Sequence, residues 1–244
     1  MTRYRVASIA SLFAVWLILA ALFPSNVVPG PRDVGAAMWG NIRSGQAVFH
    51  LFKTLLRVGI GLVITMLLGI AIGGAMGLSR KSEVFFDAWV MVGLTIPAIV
   101  YSILCLLWFG LNDRAAIIAI GFSAFPTVAI SIWQGIKGLD NQLTGMGTAF
   151  HLSSSAIFRK IIVPQLVPQI LASMRSALGI CWKICTIVEL VGMSSGVGYM
   201  LNYWFGLFKM TQVFAWTLLF LIVMFGIEFL LFKPIENRLT RWRA

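Results

Sequence analysis

An all-helical membrane protein with six crossings is the fold class predicted by this 244-residue sequence, and three observations carry the prediction. Hydrophobic residues make up 59% of the chain and charged ones 11%, less than half of the roughly 25% with which a soluble domain faces water. Mean hydropathy is +0.92. The apolar residues are gathered into runs close to the ~20 residues that one helical crossing of a bilayer core requires.

The first run, 7–23, follows Arg3 and Arg5. A cleaved secretory signal opens the same way, but the multi-spanning remainder favours a retained first helix. Residues 24–50 form an external loop whose Val28-Pro29-Gly30-Pro31 is rich in turn formers. The second run, 55–78, carries Gly69, Gly73 and Gly77 four apart and ends at Ser79-Arg80-Lys81-Ser82-Glu83. Small residues at that spacing make a groove for a closely packed second helix. Packing inside one subunit is the simpler use of it, a helix pair that moves as a unit the more specific one.

The third run, 88–109, contains Pro97 and closes at Gly110-Leu111-Asn112-Asp113-Arg114; the fourth, 115–133, contains Pro126. Proline inside a spanning helix frees a carbonyl and bends the axis, which suits a path that opens to alternate sides. Residues 134–163 are too polar to span. Their apolar positions, Leu143, Met146, Phe150 and Leu152, then Ile157, Phe158, Ile161 and Ile162, are spaced as two short amphipathic helices. Such helices lie on a membrane surface or dock on a soluble partner. The fifth run, 167–191, has Pro164 and Pro168 at its start, where proline is tolerated. Residues 192–211, with Ser194-Ser195-Gly196, read as a re-entrant or capping segment. The sixth run, 214–232, precedes a basic tail with Arg238, Arg241 and Arg243. Residues 1–244 form a single transmembrane domain.

Net charge is +11, but the cations sit at the ends of apolar runs rather than along one stripe, which argues against nucleic acid. Placing both termini in the cytoplasm puts Arg80, Lys81, Lys137, Arg159, Lys160 and the basic tail there too, as the positive-inside rule prefers. Cys105, Cys181 and Cys185 lie in apolar runs and make no CxxC pair; with two histidines, no metal site is visible.

Five ionisable residues fall inside the runs: Arg57, Arg175, Lys183, Glu189 and Glu228. Facing lipid at mid-depth would cost each about 2.5 kcal/mol or more, so they face protein or water. Lys183 and Glu189, six apart, lie on different faces of their helix. Pairing of Lys183 with Glu228 is expected over a role in attracting an anionic solute, since buried charges are usually partnered.

The stretch 138–168 resembles the cytoplasmic coupling loop of ATP-binding-cassette (ABC) importer permeases. Gly145-Met146-Gly147 stands where that family has Glu-Ala-Ala, and His151 where it has glycine. Arg57 with Gly69, Gly73 and Gly77, then Trp108-Phe109-Gly110, Phe125-Pro126, Arg175 to Trp182, Glu189-Leu190 and Gly196-Val197-Gly198-Tyr199-Met200, follow the order of the nitrate/sulfonate/taurine-type permeases. The likeness runs from about Val28 to the end of the chain. It implies a type I importer fold in a bacterial inner membrane and a homodimer with two separate ABC ATPase subunits. A periplasmic or lipid-anchored solute-binding protein would deliver a small solute, such as an organic or inorganic anion. It also implies that Pro97, Tyr101, Trp182, Lys183 and Glu189 line or brace the path, and that Gly145, Met146, Gly147, Phe150, His151 and Phe158 meet the ATPase. ATP and Mg would belong to that partner, because the chain has no Gly-x-x-x-x-Gly-Lys-[Ser/Thr] phosphate loop and binds no cofactor of its own. Three departures stand out: the altered coupling motif, Ile103 where a second proline is common, and Lys183 where the family has a small or hydroxylic residue.

A membrane-embedded enzyme is the first rival, but no paired carboxylates, nucleophile with base, or metal ligands converge. An ATP-independent secondary transporter or channel would show an internal repeat, and none is evident. A non-transporting assembly subunit is the third.

Overall fold

The structure, a computed structural model, describes residues 2–234; the tail with Arg238, Arg241 and Arg243 lies outside the described residues. Among the described residues there are helices and no strands. In chain order these are α1 (Thr2–Leu22), α2 (Pro31–Arg43), α3 (Gln46–Leu78), α4 (Arg80–Thr95), α5 (Ala98–Phe109), α6 (Asp113–Lys137), α7 (Asn141–Ala149), α8 (Ser154–Ile157), α9 (Val163–Gly192), α10 (Val197–Gly206) and α11 (Met210–Ile227). A π-helical turn, Phe158–Ile162, fuses α8 to α9, and another, Glu228–Phe232, extends α11.

Gln46–Leu78, Asp113–Lys137, Ser154–Gly192 and Met210–Leu230 are each long and apolar enough to cross a membrane, and α1 contributes a shorter apolar stretch, Ala10–Leu22. The run at 88–109 behaves differently from the single bent helix expected of it: α4 and α5 meet at 95°. The cause is Ile96-Pro97. The proline ring drives the residue before it out of the helical region, and Ile96 is extended at φ −69°, ψ 123°. The carbonyl freed four residues before Pro97, that of Gly93, accepts instead from the Tyr101 hydroxyl at 3.2 Å.

Pro164 stands in the first turn of α9, as expected, whereas Pro168 lies inside it; the helical run itself continues back to Ser154, capped by the Ser153 side chain. A π turn immediately before Pro164 absorbs the missing donor, one of the ways a helix tolerates proline. The second short amphipathic helix is therefore the start of the fifth crossing. Only α7 stands apart, begun by Asp140, whose side chain accepts from the Gln142 N–H.

The core forms where α3, α6 and α9 meet, around Val58, Ala119, Ile120, Leu178, Cys181 and Trp182. The α3 glycines face α6: an added Cβ at Gly69 would stand 2.5 Å from Val128, at Gly73 2.3 Å from the Ala129 carbonyl oxygen, and at Gly77 2.6 Å from Ile136. The stripe is thus the contact between two helices of one subunit. Pro126 is buried in the same helix, its ring 2.7 Å from where a Gly93 Cβ would be. Pro31 opens α2, which is tied to α11 by the Asn41 amide donating to Gln212 Oε1 at 2.9 Å.

Candidate functional site

Three features stand out. The first is a polar clamp that α3, α6 and α9 build around the loop before α10. Arg57, one turn after Thr54 on α3, is 2% exposed, and Glu189 on α9 is fully buried. Arg57 Nη1 donates to Glu189 Oε1 and to the Ser195 carbonyl, both at 2.7 Å. Its Nη2 reaches Asp113 Oδ1 at 2.6 Å and Ser195 Oγ at 2.8 Å. The Thr54 hydroxyl lies 2.9 Å from both Glu189 oxygens and accepts from the Val197 N–H; Glu189 Oε2 accepts from the Gly198 N–H at 2.9 Å. The His50 ring accepts from Gly196 N–H at 3.0 Å and is flanked by Tyr199 and Trp216. Gly196 is at φ +112°, and a Cβ there would sit 2.2 Å from the Glu189 carboxyl carbon. The backbone can approach the carboxylate only because residues 196 and 198 lack side chains. A buried guanidinium between two carboxylates satisfies the pairing that burial of charge demands.

The second feature is the surface of α7 and the helix behind it. Phe150 is 74% exposed and Phe158 54%. Phe150, with Leu143, Met146, Leu152 and Ile161, lines an apolar cavity of about 420 Å³. Gly147 is where α7 touches its support: a Cβ there would meet Ile161 at 2.8 Å and Ile157 at 3.1 Å. Gly145 is open to solvent with nothing within 4 Å of its Cβ position. Helix α7 ends in a Schellman motif, with Leu152 N–H bonded to Gly147 O and His151 N–H to Thr148 O. His151 occupies the left-handed position at φ +54°. That position normally takes glycine.

The third feature is the uncovered side of α9. Arg175, near the middle of α9, is ion-paired with Glu228 on the extension of α11, beside a cavity of about 500 Å³ that includes Ala172 and Ser176. Two turns on, Lys183 is exposed and has no ion pair among the described residues.

Residues 65–241 match the family described as binding-protein-dependent transport system inner membrane component. The chain belongs to this family. The permease is 30% identical over 96% of its length to SsuC of Bacillus subtilis, assigned to aliphatic sulfonate transport, covering 85% of that protein. It is 26% identical over 98% of its length to the taurine transport permease TauC of Escherichia coli (strain K12), covering 89% of it. In structure it superposes on a chain of the inward-facing MetNI methionine ABC transporter with a TM-score of 0.71, at 18% identity, covering 81% of the permease and 97% of that chain. The fold is that of type I importers. The permease is the transmembrane, non-enzymatic subunit of an ABC importer, and ATP hydrolysis belongs to a separate chain.

The permease brings some of the sequence-derived residues together and separates others. Glu189 lies inside the wall of the subunit and braces it. Trp182 is also buried, its ring edge-on to Phe220 at 5.0 Å, joining α9 to α11. Pro97 and Tyr101 sit at the break between α4 and α5, and Lys183 is on the open side. The expected Lys183–Glu228 pair gives way to Arg175–Glu228. Residue counting explains why: Lys183 lies eight residues, about 12 Å, nearer the C-terminal end of α9 than Arg175. Thr54, Asp113 and Ser195 of the clamp were not singled out by the sequence. Its signals there were Arg57 and Glu189 inside apolar runs and the Ser194-Ser195-Gly196 and Gly196-Val197-Gly198 stretch that follows.

Proposed function

We propose that two copies of the permease form the path and engage two ABC ATPases through α7 and Phe158, with a solute-binding protein delivering the solute from the opposite side. In this reading both termini and the α7 surface are cytoplasmic, and ATP with Mg is bound by the ATPases. The solutes named for the relatives, sulfonates and taurine, and nitrate for a third, point to a small organic or inorganic anion. The observation that carries the docking assignment is the exposure of Phe150, Met146 and Phe158 among the polar side chains of Asn141, Gln142, Thr144, His151, Arg159 and Lys160. An apolar patch rimmed by polar residues marks a protein contact.

The test is reconstitution of the permease with its ATPase and binding protein in proteoliposomes, scored for ATP-driven uptake of ethanesulfonate, taurine and nitrate. Phe150→Glu is expected to leave basal ATP hydrolysis intact and lower uptake at least about tenfold, the equivalent of some 1.4 kcal/mol of coupling. Wild-type uptake by this variant would exclude Phe150 from the docking surface. His151→Gly is expected to raise the stability of the α7 hairpin by about 1 kcal/mol by relieving the left-handed residue. Hydrogen exchange of the amides of residues 141–152 measures it, and unchanged protection would show that His151 is held without strain.

A further inference from the structure

The exposed face of α3 is apolar, with Leu56, Ile60, Val63 and Leu67 at helical spacing. The uncovered side of α9 is not. At helical spacing it presents Arg175, Ser176, Gly179 and Lys183, with Thr186 half-buried beyond. Its inner half opens into the cavity of about 500 Å³ and a smaller one of about 220 Å³ that includes Gly179. A polar stripe of this kind faces protein or a water-filled cavity rather than lipid.

Along that stripe the charges are unequal. Among the described residues, every carboxylate of α3, α6, α9 and the extended α11 is already committed, Glu189 and Asp113 to Arg57 and Glu228 to Arg175. Lys183 lies about 9 Å inward of Glu189 along α9 and on a different face. Among the described residues it is the cation of the α9 stripe without an ion pair, and its turn neighbours Gly179, Ile180, Thr186 and Ile187 carry no charge.

We infer that Lys183 is the charge-selecting residue of the translocation path, placing a positive potential at mid-membrane that admits solutes bearing a carboxylate, sulfonate or other oxyanion and rejects cations. This rests on the reading of the chain as the path-forming subunit. In a homodimer the two copies of Lys183 add their fields. Arg175 contributes less, because Glu228 neutralises it.

Electrostatic potential can be read without knowing the solute. Gly179→Cys adds a thiol one turn inward of Lys183, where no atom lies within 4 Å of the Cβ position. The natural Cys105, Cys181 and Cys185 are buried and supply the background rate. In the permease–ATPase complex in nanodiscs, the thiol is reacted with anionic sulfonatoethyl and cationic trimethylammonioethyl methanethiosulfonate. The ratio of anionic to cationic rates is expected to fall about tenfold on adding Lys183→Gln and to be kept by Lys183→Arg. A thiol at 179 that neither reagent reaches, or a ratio unmoved by Lys183→Gln, overturns the inference. ATP hydrolysis by the same sample reports separately on the importer assembly, so failure of one reading is distinguishable from failure of the other.

Discussion

Arg57→Ala is expected to destabilise the permease by about 3–5 kcal/mol, the range for removing one partner of a buried ion pair. The loss follows from what remains behind. Glu189, fully buried, keeps Thr54 and the Gly198 N–H but loses its cation, while Ser195 loses two hydrogen bonds. Asp113 is about half exposed and can be rehydrated, so most of the cost falls on Glu189. Unfolding of detergent-solubilised protein by sodium dodecyl sulfate, followed by tryptophan fluorescence, measures it. A double variant, Arg57→Met with Glu189→Leu, should recover more than half of the loss, since apolar replacements remove both charges together. It retains a deficit because the Gly198 N–H is then buried without an acceptor, worth about 1–3 kcal/mol. If Arg57→Ala unfolds at the wild-type midpoint, the clamp holds nothing together.

Gly73→Ala is expected to cost about 1–3 kcal/mol despite alanine's better helix propensity. The new Cβ would stand 2.3 Å from the carbonyl oxygen of Ala129 and 3.0 Å from its Cα. Those atoms are backbone and cannot rotate away, so α3 and α6 must separate along their shared groove. Gly74→Ala is the internal control. It lies on the same turn with nothing within 4 Å of its Cβ position, and should be neutral or stabilising by up to about 1 kcal/mol. Equal midpoints for the two variants would show that the close approach at Gly73 carries no energy.

Much of the architecture was legible in the sequence because a bilayer leaves the backbone few choices. A chain in hydrocarbon must satisfy its polar groups within each segment, so an apolar run of sufficient length becomes a helix. The glycine spacing in α3, the polar segment carrying α7, and the ordered motifs from Arg57 to Met200 could be read for the same reason: each is a local pattern. The proline at 97 announced a bend but not its size. The 95° turn depends on Tyr101 reaching back to Gly93 and on Pro126 filling the space beside it, contacts between residues distant in register or in sequence.

Charge pairing shows the limit most clearly. The sequence alone determined that Arg57, Arg175, Lys183, Glu189 and Glu228 could not face lipid, since desolvation penalises each of them whatever its neighbours. Which cation meets which carboxylate was decided only in three dimensions, by the depth and face at which α3, α6, α9 and α11 present them. That arrangement set Arg57 against Glu189 and Asp113, set Arg175 against Glu228, and left Lys183 on the open side. An ion pair forms over a few ångströms, whereas periodicity along one helix fixes neither its rotation nor its height relative to the next.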